Sequence, residues 1–304
     1  MSHVLNGISP LPHLGVLRVD GEDATSLLQG QLTQDFALLR PDEARLAAYC
    51  TPKGRMQASF IGFKRSQTEV VLVVSRDILE AVRKRLSMFV MRAKAKLSDA
   101  SAEFALYGLA GEAALAAAAD GPPWSRAQLG AATVIRLYPA DGQPRRLWIG
   151  AAAEAPPPGP ALDPALWQWG EVRSGIATVS APIVEAFVPQ MLNYESVGGV
   201  NFKKGCYPGQ EVVARSQFRG TLKRRAYLAH SNEVLQAGQD VFHESDAEQP
   251  CGLVAQAAAA PRGGWDAIVS LQITAAAGGR ITGGAPDGPP LAVAAPPYPL
   301  LADL

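Results

Sequence analysis

The chain has 304 residues, of which 48% are hydrophobic and 18% charged, a composition that predicts a folded protein long enough for two or three domains. Lysine plus arginine and aspartate plus glutamate both number 28, so no overall charge attracts nucleic acid or an anionic membrane. The first residues lack the basic start of a secretory signal, and no apolar run is long enough for a transmembrane helix. We therefore expect a cytoplasmic protein that does not bind membranes.

The three cysteines, Cys50, Cys206 and Cys251, are far apart in the sequence, and none belongs to a CxxC pair. This spacing is not that of a disulfide framework or of a four-thiolate metal site. We expect three free thiols, each of which is by default a small buried apolar residue.

The first element along the chain is a short helix within residues 21–30, which Asp20 or Asp23 can cap and Gly30 can end. Extended segments follow, separated by turn-forming residues that are typical of antiparallel hairpins. The three strands are predicted at 44–50, 56–65 and 69–75.

The clearest helix is predicted over residues 77–91, where apolar side chains recur at helical spacing. Asp77 and Glu80 are predicted to form a capping pair at its start. Strands followed by a helix and by further strands indicate an α+β fold.

Residues 101–150 repeat this pattern, with strands predicted at 103–111 and 133–139 around an alanine-rich helix at 112–119. The repetition indicates two similar half-domains. The proline-rich segment 151–164 cannot continue a helix or a strand, so we interpret it as a surface linker.

The last part of the chain alternates short apolar runs with Gly, Pro and Asp turns, which is typical of a small antiparallel barrel or sandwich. We place its start near Gly220. The apolar runs lie at 226–231, 240–245, 251–261 and 265–273.

The segment around Cys206 holds the densest group of unusual residues. Gly205 and Gly209 flank the cysteine and permit a tight turn, and Pro208 favours the start of a short helix at Gln210. Cys206 is therefore predicted on an exposed turn before a helix N-terminus, where the helix dipole favours the thiolate and lowers the pKa of the thiol.

The charge around this turn is strongly positive, because seven basic residues and one acidic residue, Glu211, lie between Lys203 and Arg225. Lys203 and Lys204 add to the expected effect on the thiol, and an anion is a candidate ligand. A structural glycine turn with a solvated basic face explains the same spacing, and both interpretations stay open. No histidine is near in sequence, so the pattern does not indicate a Cys–His hydrolase.

The sequence KGCYPGQE at 204–211 resembles the KGCYxGQE signature of the YgfZ family, folate-binding relatives of the glycine-cleavage T-protein. The segments 26–35, 50–56 and 189–205 resemble other characteristic stretches of the family in the same order, so the resemblance extends from about residue 15 to 225. Its motif residues here are Lys204, Gly205, Cys206, Tyr207, Gly209, Gln210 and Glu211.

The resemblance implies a T-protein-like fold in which two α+β lobes and a C-terminal antiparallel β-barrel surround a central hole for folate. The corresponding domains are residues 1–100 for the first lobe, with contributions from 165–220, residues 101–220 for the second lobe with the motif, and residues 221–304 for the barrel.

The resemblance also implies a folate site. Its predicted binding residues are Trp167, Gln190, Asn193, Lys204 and Arg215. For Trp167 a purely structural role in the core stays open. A second folate-associated tryptophan of the family corresponds to the region of Leu14, so we expect that side of the pocket to be less aromatic.

The function that the resemblance implies is support of the assembly, repair or maintenance of iron–sulfur enzymes, including tRNA-modifying ones. Tetrahydrofolate or a one-carbon derivative would be the cofactor, and iron–sulfur client proteins the partners of a monomer. Cys206 would act as a redox group, as a transient cluster ligand or as a docking residue, and the sequence does not separate these roles. No other metal ligand is predicted.

Two alternatives compete with this interpretation. A folate-dependent aminomethyltransferase is one, but T-proteins carry a glutamate where this chain has Arg173 and Ser174, and residues 53–60 offer no equivalent of their catalytic aspartate. We therefore expect that aminomethyl transfer is lost. A tRNA-binding module is the other, based on the basic run at 218–225, which has few interleaved aromatic residues.

Overall fold

The computed structural model describes residues 5–91, 93–118, 121–218 and 222–301. Its strands are β1 (Gly7–Pro10), β2 (Leu14–Asp20), β3 (Arg45–Cys50), β4 (Met56–Lys64), β5 (Glu69–Ser75), β6 (Lys96–Asp99), β7 (Phe104–Ala110), β8 (Arg126–Leu129), β9 (Ala132–Arg136), β10 (Arg145–Ala151), β11 (Arg224–Ser231), β12 (Asp240–His243), β13 (Gly252–Ala259), β14 (Trp265–Gln272), β15 (Ile281–Gly283) and β16 (Ala292–Ala294). Its α-helices are α1 (Ala24–Gln29), α2 (Arg76–Ser87), α3 (Glu112–Ala117), α4 (Pro164–Arg173), α5 (Gln210–Phe218) and α6 (Ile273–Ala276).

The first sheet is antiparallel and has the strand order β3-β4-β5-β2-β6. The predicted strands at 44–50, 56–65 and 69–75 are confirmed to within one residue, as β3, β4 and β5. β5 is buried along nearly its whole length because α1 and α2 both contact it. A continuous run of valine and leucine, as in β5, is expected for a strand that is covered on both faces.

Helix α2 is shorter than predicted, since it ends at Ser87 rather than at residue 91. The apolar spacing continues beyond this point, but Met88 is the C-cap and its side chain is exposed. The predicted capping pair is wrong: Ser75 is the N-cap, and Asp77 accepts a hydrogen bond from the amide of Ala181. Glu80 instead pairs with an arginine one turn later in the helix.

The second sheet has the order β1-β7-β10-β9-β8 and is also antiparallel. β1 comes from the start of the chain but pairs with β7, with Gly7 opposite Ala110. The predicted strand at 133–139 ends at Arg136 because the chain turns away before Pro139, which cannot donate to a ladder. α3 confirms the predicted alanine-rich helix through Ala117.

The third sheet is antiparallel and curled, with the order β15-β12-β13-β14-β11-β16. A bulge between Val254 and Gln256 increases its bend. β16 pairs with β11, while Leu291 just before it donates its amide to Ile281 of β15, so one short segment contacts both ends of the sheet. The predicted hairpins are confirmed in this curled sheet. The boundary predicted near Gly220 and the side chain of Arg219 lie outside the described residues.

The segment 152–163 joins the second sheet to α4 and is mostly exposed, as its prolines predict. Asp163 caps α4 by accepting the amide of Ala165 at 2.9 Å. Buried side chains of both five-stranded sheets, of α4 and of the segment 177–200 form one continuous core. No helix within the described residues is long and apolar enough to span a bilayer.

Candidate functional site

Cys206 lies on an exposed loop immediately before α5, as the sequence predicts. The loop rests on the turn between β3 and β4. Gly209 has a φ of +82°, and a Cβ at this position would lie 2.4 Å from the carbonyl oxygen of Thr51. Contact this close requires glycine, so the position of the loop is set by backbone packing rather than by the cysteine itself.

The two glycines that flank Cys206 are expected to differ in their tolerance of a side chain. Gly209→Ala should destabilise the protein by about 1–3 kcal/mol, because alanine at positive φ is strained and also contacts Thr51. Gly205→Ala should change stability by less than about 0.5 kcal/mol, because no heavy atom lies within 4 Å of its Cβ. Urea unfolding measures both, and equal effects would contradict this account of the loop.

Lys204 points into the protein rather than towards the solvent. Its ammonium group donates to the carbonyl oxygens of Gln29 and Leu32 and lies 4.7 Å from the ring centre of Tyr207. Burial lowers the pKa of Lys204 to about 8. This lysine therefore anchors the loop to the segment after α1.

Other hydrogen bonds connect the segments 26–35 and 189–205, two of the segments that carry the resemblance to the YgfZ family. The hydroxyl of Thr33 donates to the carbonyl of Gly199 at 2.6 Å, and the side chain of Gln34 donates to Gly198 at 2.7 Å. Asn201 donates its amide back to Thr33. Stretches that are more than 160 residues apart in sequence are thus joined by hydrogen bonds, and one of them leads directly into the Cys206 loop.

The basic residues of this region do not form one continuous positive surface. Lys204 is turned inward, Arg215 pairs with Glu211 at 2.6 Å, and Arg225 is buried in an ion pair with Glu195. The charge balance counted along the sequence is therefore dispersed in three dimensions. In the described part of residues 218–225, Arg225 is buried whereas Lys223 is exposed, and the tRNA-binding alternative stays a prediction.

A cavity of about 60 Å³ lies between the two five-stranded sheets and α4. Aromatic rings from distant parts of the chain line it, together with aliphatic side chains that include Leu14. The aromatic residues are Phe60, Trp124, Tyr138, Trp167 and Tyr194.

Trp167 is the largest of the fully buried side chains, with 1% of its surface exposed. Gly108 of β7 makes room for it, because a Cβ there would lie 2.4 Å from the indole. The guanidinium carbon of Arg145 is 4.3 Å from the centre of the indole ring, and Nε of Arg145 has no hydrogen-bond partner among the described residues. Burial lowers the pKa of Arg145 to about 10, so the group stays charged at neutral pH.

Glu171 lies one helical turn after Trp167 and accepts its indole N–H at 2.9 Å. Nε2 of His13 lies 3.2 Å from the same carboxylate oxygen, Oε1. Burial raises the pKa of Glu171, but His13, Arg145 and Trp167 outweigh this and hold it below its usual value. For His13 the effects are opposite: burial lowers the pKa, but the Glu171 carboxylate raises it by more, so the pKa of His13 lies above its usual value. The two groups thus form a partly buried ion pair.

This ion pair predicts a window of maximal stability. Because the pKa of His13 is raised from 6.5, its contribution is fully present below pH 6.5 and is lost as the pH rises through the raised value. Because the pKa of Glu171 is lowered from 4.5, its contribution is fully present above pH 4.5 and is lost as the pH falls through the lowered value.

We expect the free energy of unfolding of the wild type to exceed that of His13→Gln most between pH 4.5 and pH 6.5. Urea unfolding of both proteins over a pH series measures the difference. A difference that is constant with pH would exclude the ion pair as its cause.

A wider cleft of about 580 Å³ adjoins the cavity and shares Glu171 and Thr178 with it. Its lining is more polar and includes His13, Arg76 and Gln256. Gln256 lies 3.5 Å from Oε2 of Glu171, so this second carboxylate oxygen has one long contact and faces the junction of cavity and cleft.

No family model matches the chain, but several curated proteins do. The "tRNA-modifying protein YgfZ" of Edwardsiella ictaluri is 32% identical over 243 residues, which cover 72% of this chain and 72% of the relative. The protein of the same name from Cronobacter sakazakii is 33% identical over 244 residues, which cover 73% of this chain and 71% of the relative. The chain belongs to the YgfZ family. This membership confirms the family resemblance that the sequence indicates.

A solved structure extends the comparison to the fold. The glycine cleavage system aminomethyltransferase T from Bartonella henselae aligns over 99% of this chain and 88% of its own, with a TM-score of 0.67 and 14% identity. This YgfZ-family chain therefore has the mixed α/β fold of a T-protein. At this identity the likeness concerns the fold and not the chemistry.

The structure places the predicted folate residues in different surroundings. Trp167 lines the cavity. Gln190 and Asn193 are fully buried, and their side-chain amides donate to backbone carbonyl groups. Lys204 anchors the Cys206 loop and Arg215 lies on an exposed face of α5. These four residues line neither the cavity nor the adjoining cleft, so their assignment to a ligand stays a prediction.

Sequence reasoning missed several residues that the structure brings to the cavity. Glu171 carried a signal, because a carboxylate four residues after Trp167 lies on the same helix face. No local signal marked Arg145, Trp124 and Tyr138, which line the cavity, or His13, which lines the adjoining cleft. Each comes from a different turn or strand end and reaches its place through tertiary packing.

The described residues contain no group of three or more His, Cys, Asp or Glu side chains that could hold a metal ion. Cys50 and Cys251 are buried and Cys206 is exposed, and all three are free thiols. Burial raises the pKa of Cys50 to about 12, so this thiol stays protonated. Of the three, Cys206 is the thiol that a partner can reach.

Proposed function

We propose that this protein binds tetrahydrofolate or a one-carbon derivative in the central cavity and supports the assembly, repair or maintenance of iron–sulfur enzymes through Cys206. The curated relatives carry the name tRNA-modifying protein, so tRNA-modifying iron–sulfur enzymes are the proposed clients. The observation that carries the proposal is the group formed by the buried Trp167, Glu171 and Arg145 and the partly exposed His13 in a T-protein fold.

The residues of the cavity fit a reduced pterin in three ways. Trp167 and Tyr138 supply flat apolar surface. Glu171 supplies an ionised carboxylate whose Oε2 has one long contact, which matches an N–H donor of an aminopyrimidine edge. Arg145 supplies a buried Nε without a partner among the described residues, which matches a ring carbonyl.

The cavity is small, so a whole folate requires the cleft as well. The cleft has the volume of an ordinary ligand site and places Arg76 and His13 beside the cavity mouth. We propose that the pterin occupies the cavity and that the carboxylates of the glutamate tail lie near these cations. When bound, tetrahydrofolate supplies one-carbon groups or reducing equivalents, and the protein residues orient it and exclude water.

The thiol and the cavity share a structural support. Tyr194 lines the cavity, and the indole N–H of Trp124 donates to the carbonyl of Val197 at 2.8 Å. The chain then continues through Asn201 and Lys204 to Cys206. A ligand that orders Trp124 or Tyr194 would therefore also order the base of the Cys206 loop. This connection favours a role in which folate binding affects how the Cys206 thiol acts on client proteins.

Aminomethyl transfer finds no support in the cavity. β4 provides Ser59 and Phe60 to its lining, and the sole lining carboxylate within the described residues is Glu171 on α4. The hydroxyl of Ser59 accepts the amide of Val179 and is thereby occupied. We propose that the T-protein fold is retained here for binding rather than for that reaction.

Titration with tetrahydrofolate and its one-carbon derivatives tests the proposal, with tryptophan fluorescence and calorimetry as readouts. We expect binding to the wild type and loss of binding in Trp167→Ala. Because deletion of this indole is expected to cost about 3–5 kcal/mol of stability, Trp167→Phe provides a milder variant that should fold and bind weakly. Absence of binding of every folate to the folded wild type would overturn the assignment.

A further inference from the structure

A second, mainly apolar groove lies beside the C-terminal end of α2. Its volume is about 360 Å³. Side chains of β3, β4, α2 and the turn after residue 181 form its walls. They include Tyr49, Gln57, Ile78, Val82, Met88 and Val184.

Large exposed apolar side chains lie on the wall of this groove and in the residues that follow it along the chain: Met88 and Val184 line the groove, and Phe89 and Met91 come directly after Met88. Met88 is 61% exposed and Met91 is 93% exposed, and Phe89 and Val184 are also exposed. Large exposed apolar patches are rare on soluble monomers, and those that occur usually mark an interaction surface. Methionine is the residue best suited to adapt its shape to a partner.

The groove also contains a buried acceptor that lacks a donor. Oε1 of Gln57 has no hydrogen-bond partner among the described residues, and 6% of this residue is exposed. Its Nε2 donates to Glu185 at 2.8 Å, which fixes the orientation of the amide. A partner that enters the groove with an N–H group would satisfy this acceptor.

The rim of the groove is positively charged. Lys84 and Arg85 line it at the C-terminal end of α2, and the Lys84 side chain is 72% exposed. Arg83 pairs with Glu80 through two hydrogen bonds, which leaves Lys84 with a longer contact of 3.5 Å to that carboxylate. The exposed carboxylate of Glu185 accepts a hydrogen bond from the neutral amide of Gln57, which does not neutralise it. Lys84 and Arg85 thus outnumber this carboxylate by two to one around an apolar centre.

We infer that this groove docks an acidic amphipathic segment of a partner protein. An apolar side chain of the segment packs between Val82, Met88 and Val184. An N–H group of the segment donates to Gln57, and its carboxylates lie against Lys84. The interaction is separate from folate binding and needs no reaction of Cys206.

A photo-crosslinking amino acid at position 91 of the full chain tests the inference in cells. The matched control position is Leu115 on α3, which is also an exposed apolar residue. We expect position 91, but not position 115, to crosslink to a defined protein through a peptide in which acidic residues flank an apolar one. Lys84→Glu should lower the yield at least fivefold, and lysine in place of the partner's acidic residue should restore it. Melting temperatures of the variants verify that they are folded.

The other outcomes overturn the inference. These are equal yields at the two positions, a yield that Lys84→Glu does not change, crosslinking between two copies of this chain, and the absence of a product at position 91. Binding of the protein to phosphatidylglycerol vesicles that is lost in Met91→Ser would assign the surface to a membrane instead. Folate titration of the same variants separates this result from the proposed function, because Lys84 lies outside the folate cavity and cleft.

Discussion

Replacement of Glu171 by glutamine is expected to weaken tetrahydrofolate binding about 10-fold to 100-fold. A hydrogen bond to a charged group contributes about 1.5–3 kcal/mol, and glutamine presents an amide in place of a carboxylate to the proposed aminopyrimidine edge. The change also removes the counter-charge of His13 and Arg145, which both interact electrostatically with Glu171. Calorimetric titration of wild type and Glu171→Gln measures the effect.

A matched control is Glu80→Gln, which makes the same chemical change on an exposed face of α2. It should leave folate affinity unchanged. Circular dichroism and urea unfolding of Glu171→Gln distinguish a binding defect from unfolding. Equal affinities of Glu171→Gln and wild type would show that the pterin does not contact this carboxylate.

The position of Glu171 shows which part of the candidate site the sequence could predict. Trp167 was predicted at the site, and α4 presents Glu171 beside it because the two are four residues apart. The partners that complete the group, His13 and Arg145, come from a loop near the start of the chain and from the first residue of β10. Such contacts arise from the packing of two sheets against one helix, so no local pattern reveals them.

The secondary structure likewise contains elements that the sequence predicts correctly and elements that it does not. β3, β4 and β5 were predicted within one residue, since long apolar runs bounded by turn residues leave few alternatives. The end of α2 was predicted too late because Phe89 and Met91 continue the helical spacing, although these side chains lie at the surface. The pairing of β1 with β7 was not predicted, as a short strand without alternation carries little information about its partner.

The side chains of the motif segments show why a family pattern does not by itself assign roles. Gln190, Asn193 and Lys204 satisfy buried backbone carbonyls. A buried polar residue that completes the hydrogen bonds of a loop is under as strong a constraint as one that binds a ligand. Lys204 holds the loop of Cys206 against the segment after α1, and Gln190 holds α5, which follows the loop, whereas Asn193 binds β11. Cys206 is thus the exposed group of a loop that buried polar side chains support.

Cys206→Ser is therefore expected to abolish function while leaving the fold intact. The side chain is exposed, so the free energy of unfolding should change by less than about 0.5 kcal/mol. In a strain that lacks the native protein, the variant should restore the activity of iron–sulfur enzymes no better than an empty vector, because a hydroxyl group is not redox-active and is a far weaker iron ligand than a thiolate. Folate affinity should be unchanged, since Cys206 does not line the cavity or the cleft.

Cys251→Ala is the control for the loss of a thiol as such. Cys251 is buried in the core of the third sheet, so its replacement should lower stability but retain complementation. The opposite pattern, with full complementation by Cys206→Ser, would exclude a redox or cluster-ligand role of the thiol. The Cys206 loop would then act through its shape, and the Gly209→Ala variant, which is predicted to disturb that shape, should lose complementation although its thiol is retained.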